Sequence, residues 1–406
     1  MTRDALPISR VELVSLLAML SATIAFSLDA MLPALPAIGS DLSPENPNRA
    51  QLVVGVFVLG MGIGTFFAGP LSDAFGRKKI AVVGAVIYSF AALVGALAPN
   101  IETLLAARLV QGIGAAGPRI AAMAITRDLF SGRQMAQVLS YVIFVFTLTP
   151  IFAPTLGWLI AMAVGWRGIF ASFAVFSVIS MAWLLIRLPE TLAPENHRPF
   201  RLQPILAGTR EVLGNPRVLR ATLVQTLIFG TLFAALASSQ QIFADVFGKA
   251  DSFPLWFGFM AVIASTANLI NARVVIRLGM REVVHRALLV QGGFTAVFLL
   301  LQLTGALPDV LAFPITFLWL TSVFYLAGFG LGNMNALALE PLGRIAGLAA
   351  SIITALATVG AALLSVPIGL AFDGTPLPLT IGVLALVALA YLILRRLTED
   401  EVTGLS

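Results

Sequence analysis

The chain has no cysteine and, in 406 residues, only two histidines, His197 and His285. The first absence excludes disulfides, thiol nucleophiles and cysteine metal sites, and with no His-Glu-x-x-His pair there is no zinc-hydrolase motif either. Charge is scarce as well. Only 11% of residues are charged, where soluble domains carry about 25%. There is no Gly-x-x-x-x-Gly-Lys-Ser/Thr phosphate loop, no span with paired carboxylates and no repeated filter sequence, so ATP-driven transport, acid–base catalysis and channel selectivity all lack their usual groups. No enzyme, metal or cofactor is expected. What the chain has instead is apolar length: 59% hydrophobic residues and a mean hydropathy of +0.96. Such a chain lives in a lipid bilayer.

Twelve apolar runs are long enough to cross a hydrocarbon core of ~30 Å. The first follows Val11 and continues through Pro33, too long for a cleaved signal peptide. The others fall near 51–72, 79–98, 103–126, 136–161, 166–186, 219–241, 254–276, 284–304, 310–333, 345–368 and 376–394. With both termini inside, 20 of the 25 basic residues lie in inner segments and only Arg49, Arg167 and Lys249 in outer loops. That asymmetry sets the orientation. The formal net charge of +5 follows membrane sidedness, and no nucleic-acid partner is expected. A proline- and arginine-rich stretch divides six spans from six. The expected domains are a six-helix bundle at 1–186, a cytoplasmic linker at 187–218 and a second bundle at 219–406.

The best-defined loop is Gly69-Pro70-Leu71-Ser72-Asp73-Ala74-Phe75-Gly76-Arg77-Lys78-Lys79, short, basic and caught between two spans. Gly69 permits close approach, Gly76 gives backbone freedom where the chain reverses, and Asp73 can pair with Arg77. The string resembles motif A of the major facilitator superfamily, Gly-x-Leu-x-Asp-x-x-Gly-Arg-Lys, nearly position for position. The resemblance implies twelve helices in two pseudo-symmetric six-helix bundles, all-α and integral to the membrane, with a substrate path between bundles near the midplane. It assigns Gly69, Asp73, Gly76 and Arg77 to an inner gate. About 203 residues on, Ala272-Arg273-Val274-Val275-Ile276-Arg277-Leu278-Gly279-Met280-Arg281 reads as a weakened second copy in which Ile276 replaces Asp73. The N-terminal hinge is therefore expected to do more of the gating.

Three further strings carry the resemblance. Arg108-Leu109-Val110-Gln111-Gly112 resembles motif B, whose intramembrane arginine serves coupling or substrate binding. A charge in lipid costs at least ~2.5 kcal/mol, so Arg108 must face protein or water. Arg119 lies three turns further on the same helical face. For both, a purely structural role stays open: a donor to a neighbouring backbone for Arg108, an interfacial cation for Arg119. Thr149-Pro150-Ile151-Phe152-Ala153-Pro154-Thr155-Leu156-Gly157-Trp158 resembles motif C of antiporters, with Ala153 and Trp158 where that motif has glycine. Pro150, Pro154 and Gly157 would shape a gate by kinking the span, or simply pack.

Ser27-Leu28-Asp29-Ala30-Met31-Leu32-Pro33-Ala34-Leu35-Pro36 resembles the Asp-x-x-Leu-Pro-Ala-Leu-Pro element of the bicyclomycin-resistance/CflA branch of drug exporters. Asp29 is the one carboxylate well inside a predicted span, the rest lying near ends or in loops. A carboxylate's proton affinity depends on burial and on neighbouring cations, so a group that changes surroundings between two conformations can carry a proton. Pairing with Arg108 as a structural brace is the alternative. Ser21, Ala22 and Thr23 stand where some relatives have a second acid.

The resemblance thus implies proton-coupled export of small hydrophobic drugs, or of a metabolite, by a monomer in a bacterial inner membrane. Asp29 and Arg108 would couple protons. Asp29, Phe26, Phe57, Arg108, Gln111, Arg119 and Phe144 would line the substrate cavity. Phe229 and Phe233 are candidates for further aromatic walls, though for each of these phenylalanines packing or lipid contact is the commoner role. The competing reading is an importer or proton symporter of the same fold for a small metabolite.

Overall fold

The structure, a computed structural model, describes residues 8–403, with the backbone alone for Ala136, Arg344 and residues 398–403. Arg3, one of the expected inner cations, lies outside the described residues, as does the side chain of Arg344. All regular structure among the described residues is helical: α1 Arg10–Asp29, α2 Leu35–Leu42, α3 Leu52–Phe75, α4 Arg77–Ala96, α5 Ile101–Leu129, α6 Gly132–Arg187, α7 Leu202–Gly214, α8 Pro216–Gln241, α9 Phe253–Leu278, α10 Met280–Thr304, α11 Asp309–Leu339, α12 Ala346–Leu370 and α13 Leu377–Thr403.

Ten helical runs among the described residues are long and apolar enough to span a bilayer. One of them, the 56-residue α6, is two helices joined at Gly165, whose φ of 75° and ψ of 174° no helix contains. The remaining crossing is α5, 29 residues long, which Arg108 and Arg119 make less apolar than its neighbours. Twelve crossings result. The chain divides into two compact units, Met1–Leu206 and Ala207–Ser406.

The first crossing differs from expectation. It does not stop at Pro33 but runs from Arg10 to Leu42, through a 3-10 turn at Leu32–Ala34 and then α2. Pro33 and Pro36 do not end it because each sits in the first turn of a new helical segment, where the missing N–H had no intrahelical partner to lose. Asp29 therefore marks a break inside a continuous crossing. The linker also holds more structure than its prolines suggest: a 3-10 turn at Pro194–Asn196, then α7, which buries Val212 on its apolar side.

In unit 1, α5 packs against both α3 and α4, and α1 packs against α6. Lipid tails are as apolar as leucine, so helices associate in a bilayer through close backbone approach and interhelical hydrogen bonds. Gly112 shows the first of these. A Cβ there would collide with the Phe57 carbonyl of α3. Charged residues gather at the ends of the unit. At one end Arg167 meets Asp41 at 2.6 Å and Arg49 meets Glu102 at 2.7 Å; at the other Arg187 holds both carboxylate oxygens of Glu12, at 2.6 and 3.0 Å.

The two basic hinges share one backbone device. Gly76 (φ 104°, ψ 151°) ends α3 and begins α4; Gly279 (φ 83°, ψ 155°) ends α9 and begins α10, 203 residues later. Both lie in the φ region that favours glycine.

Candidate functional site

The buried polar centre of unit 1 is built where α1 breaks. Asp29, the last residue of α1, is 5% exposed, and among the described residues no hydrogen bond or ion pair reaches its carboxylate. The next residue, Ala30, lies so close to α6 that a Cβ on Gly157 would overlap its carbonyl oxygen. Gly157, expected at a gate, is thus the point where the proline-containing limb of α6 touches the break in α1. Pro154 is buried and Pro150 half-buried in that same limb.

Arg108 is wholly buried in α5, and its guanidinium ties three crossings together. Nε donates to the Val53 carbonyl of α3 at 3.1 Å, Nη2 to the Ser27 carbonyl of α1 at 3.2 Å, and Nη1 to Gln111 Oε1 at 2.7 Å. The fork of an arginine can serve diverging acceptors in this way, and a lysine cannot. The cation also lies over the ring of Phe57, 4.2 Å from its centroid, and 5.8 Å from that of Phe170. Its hydrogen bonds go to backbone and amide oxygens rather than to Asp29, so the alternative of a carboxylate brace is not what this structure holds. Arg108 grips α1 two residues before Asp29.

Two expected cavity walls have other work. Phe57, fully buried, supports Arg108 and presents no free surface in unit 1. Gln111, also fully buried, spends its oxygen on Arg108, and its buried Nε2 makes no hydrogen bond of good geometry among the described residues. Phe26 is half-buried and joins an aromatic chain through Phe173 (5.3 Å) and Phe170 (5.7 Å) that leads back to Arg108. Arg119 is half-buried, with no hydrogen bond or ion pair among the described residues. Phe144, in α6, is 60% exposed. The structure therefore brings Asp29, Arg108, Gln111, Phe57 and Gly157 to one break, and leaves Arg119 and Phe144 outside that cluster of contacts.

One residue of the cluster escaped the sequence reading. Tyr88 of α4, 1% exposed, hydrogen-bonds the Ser27 hydroxyl, so α4 also reaches α1 at this point. The signal was a tyrosine in the middle of an apolar span, whose hydroxyl must find a partner there.

The hinge at Gly76 forms a second cluster. Arg77 bonds Asp73 and Ser72 of α3 and, through Nε at 3.1 Å, Asp128 of α5, which also accepts from Thr191 Oγ1 at 3.1 Å. Glu190, from the stretch after α6, accepts the backbone N–H groups of Arg77 and Lys78 at 2.9 and 3.1 Å. The chain past it stays on the hinge: Arg198 N–H donates to the Asp73 carbonyl at 3.1 Å. Asp73, Gly76 and Arg77 thus meet in one network, with Gly69 one turn earlier in α3. In unit 2 the same positions hold Ile276 and Met280, so the hinge at Gly279 has no counterpart of the Asp73–Arg77 pair.

Residues 15–365 match the Major Facilitator Superfamily. The chain belongs to that family. The Bicyclomycin resistance protein homolog of Haemophilus influenzae is 30% identical over 372 residues, covering 90% of this chain and 92% of that one. The Multidrug resistance protein MdtL of Salmonella paratyphi A is 29% identical over 332 residues, 80% and 79% of the two chains. Among solved structures, the D-xylose-proton symporter superposes with a TM-score of 0.74 over 95% of this chain and 97% of that one, at 17% identity. The major facilitator fold is common to all of them, and this chain is a membrane transporter rather than an enzyme.

Unit 2 of this facilitator is poorer in buried charge and richer in neutral polar groups. Asn333 donates to Asn271 Oδ1 at 2.9 Å and Gln291 to Thr295 Oγ1 at 3.2 Å, pairing with one another as polar groups between membrane helices usually do. On α8, Ser238, Ser239, Gln240 and Gln241 are all buried just before a π-helical turn at Ile242–Val246, and Gln240 Oε1 has no hydrogen-bond partner among the described residues.

Proposed function

We propose that this protein exports small, largely apolar drugs from the bacterial cytoplasm across the inner membrane in exchange for protons. The observation that carries the reading is Asp29: a buried carboxylate at a break in the first crossing, with no cation or donor bound to it among the described residues. The resistance functions named for the relatives above supply the substrate class.

Asp29 takes a proton from one side of the membrane and releases it to the other, and drug and proton compete for its surroundings. Arg108 sets the electrostatics of that site and holds the broken end of α1, with Phe57 and Gln111 acting through it. The unspent Gln111 Nε2 supports a hydrogen bond to ligand or water in another conformation. Phe26, Phe144 and Arg119 offer apolar surface and a cation to the drug. The bundles at 1–186 and 219–406, joined by the linker at 187–218, alternate by rocking, while Gly69, Asp73, Gly76 and Arg77 latch the inner side and Pro150, Pro154 and Gly157 shape the α1–α6 contact. Both termini are cytoplasmic and the monomer is the working unit.

Expression in a bacterial strain stripped of its own efflux pumps tests this directly. Raised resistance to several chemically different apolar drugs, with lower drug accumulation that an uncoupler abolishes, is the expected result. Unchanged susceptibility across the panel, with the protein present in the membrane, would move the function toward metabolite import.

A further inference from the structure

Unit 2 contains a cavity of about 480 Å³ between α9, α10 and α11, lined mainly by Ile270, Val274, Val290, Leu318 and Phe329. Val290, Leu318 and Ile270 are exposed, so the cavity opens sideways, onto the surface that a membrane-spanning helix presents to lipid. Its lining runs from Ile270 to Leu278 on α9 and from Val283 to Gln291 on α10, about 12 Å along each helix. One leaflet's hydrocarbon is about 15 Å deep, half the ~30 Å core.

The two ends of the groove differ. At the Gly279 hinge, Arg286 lines it, with Arg277 in the last turn of α9 and Arg281 and His285 in the first turns of α10. The one carboxylate in that stretch of α10, Glu282, is engaged with Arg286 at 2.6 Å and lies 3.8 Å from His285. Arg277 and Arg286 thus stand with Glu282 at the end where the hydrocarbon stops. Further in, the polar groups are already satisfied: Gln291 bonds Thr295, and the Tyr325 hydroxyl meets Thr266 Oγ1 at 2.9 Å. An apolar trough one leaflet deep with a cationic mouth complements an anionic phospholipid, and basic pockets between membrane helices bind such headgroups.

We propose that this groove holds a phospholipid with an anionic headgroup, one acyl chain lying along Val274, Val290 and Leu318 and the phosphate at Arg286. The inference does not depend on which substrate is carried.

The test places the full chain in nanodiscs of equal phosphatidylglycerol and phosphatidylcholine with matched acyl chains and measures retained lipid by native mass spectrometry. The wild type should retain the anionic lipid in preference, by about fivefold for one arginine's contribution. Arg286→Gln should remove the preference, Arg286→Lys should restore it, and Val290→Trp, at an exposed position on the trough, should lower retention of either lipid. Circular dichroism and gel filtration report the fold of each variant. Equal retention of both lipids by the wild type overturns the proposal. So does a preference unchanged in Arg286→Gln, retention of both lipids unchanged in Val290→Trp, or displacement of the retained lipid by tetraphenylphosphonium at micromolar concentration, which would make the groove a drug site.

Discussion

The Glu190 carboxylate accepts the first two backbone N–H groups of α4, those of Arg77 at 2.9 Å and Lys78 at 3.1 Å. The residue before α4, Gly76, has no side chain to cap it, and the four leading amides of any helix need acceptors from elsewhere. A residue 113 positions downstream supplies them. The stretch after the sixth crossing is therefore fastened to the hinge between the second and third, and Asp128, shared by Arg77 and Thr191, fastens it again.

Removing this cap should weaken the hinge. Glu190→Ala should cost about 1 kcal/mol, the usual value of a lost helix cap, with Glu190→Gln costing less because it keeps a neutral acceptor. Thermal unfolding of the purified variants in one detergent measures both. Equal midpoints for wild type and Glu190→Ala would show that water caps α4 as well.

Gly76→Ala should be more damaging than Gly279→Ala. Both glycines combine positive φ with an extended ψ, a region that is essentially glycine's alone and costs another residue about 1–3 kcal/mol. Only at Gly76 would that Cβ also press on a carboxylate, that of Glu190, whereas at Gly279 it meets open space. Drug export at matched expression should fall clearly in the first variant and slightly in the second. The reverse order would separate gating from the motif A network.

Arg108→Ala should destabilise unit 1 by roughly 3 kcal/mol, because it strips two carbonyls and one amide oxygen of their buried donor and leaves a cavity over Phe57. Arg108→Lys should recover only part of the loss, since one ammonium cannot reach acceptors on α1, α3 and α5 with a guanidinium's geometry. Differential scanning fluorimetry ranks the three proteins. A Lys variant as stable as wild type would contradict the clamp.

Arg119 gives a sharper test of the cavity. It is half-buried with no partner among the described residues, which suits a cation kept for a ligand. Arg119→Ala should change the drug profile while leaving thermal stability within about 0.5 kcal/mol. A variant that folds normally and transports every substrate unchanged would remove Arg119 from the site.

Much of this was legible in the sequence because the bilayer restricts the choices. Apolar runs of twenty residues have one helical solution, and Gly76 and Gly279, read as repeats 203 residues apart, share a backbone conformation. Asp29 stood out because a carboxylate within a span is rare. What sequence could not supply were the partners. Arg108 chose backbone carbonyls of α1 and α3, which no side-chain pattern encodes, and Glu190 reached amides 113 residues upstream. Pro33 read as a stop because its position in a turn is invisible until the segments on both sides are known. Phe57 read as a cavity wall because burial under an arginine leaves no trace in a string of apolar letters.

The central claim is that Asp29 carries the coupled proton, and inside-out vesicles test it most directly. With an acidic lumen imposed, protons leave as drug enters, so wild type should accumulate drug in proportion to the gradient. Asp29→Asn, which keeps the side chain's shape but holds no exchangeable charge, should fold normally and lose that accumulation. Gradient-driven accumulation surviving in Asp29→Asn at matched expression would contradict the account.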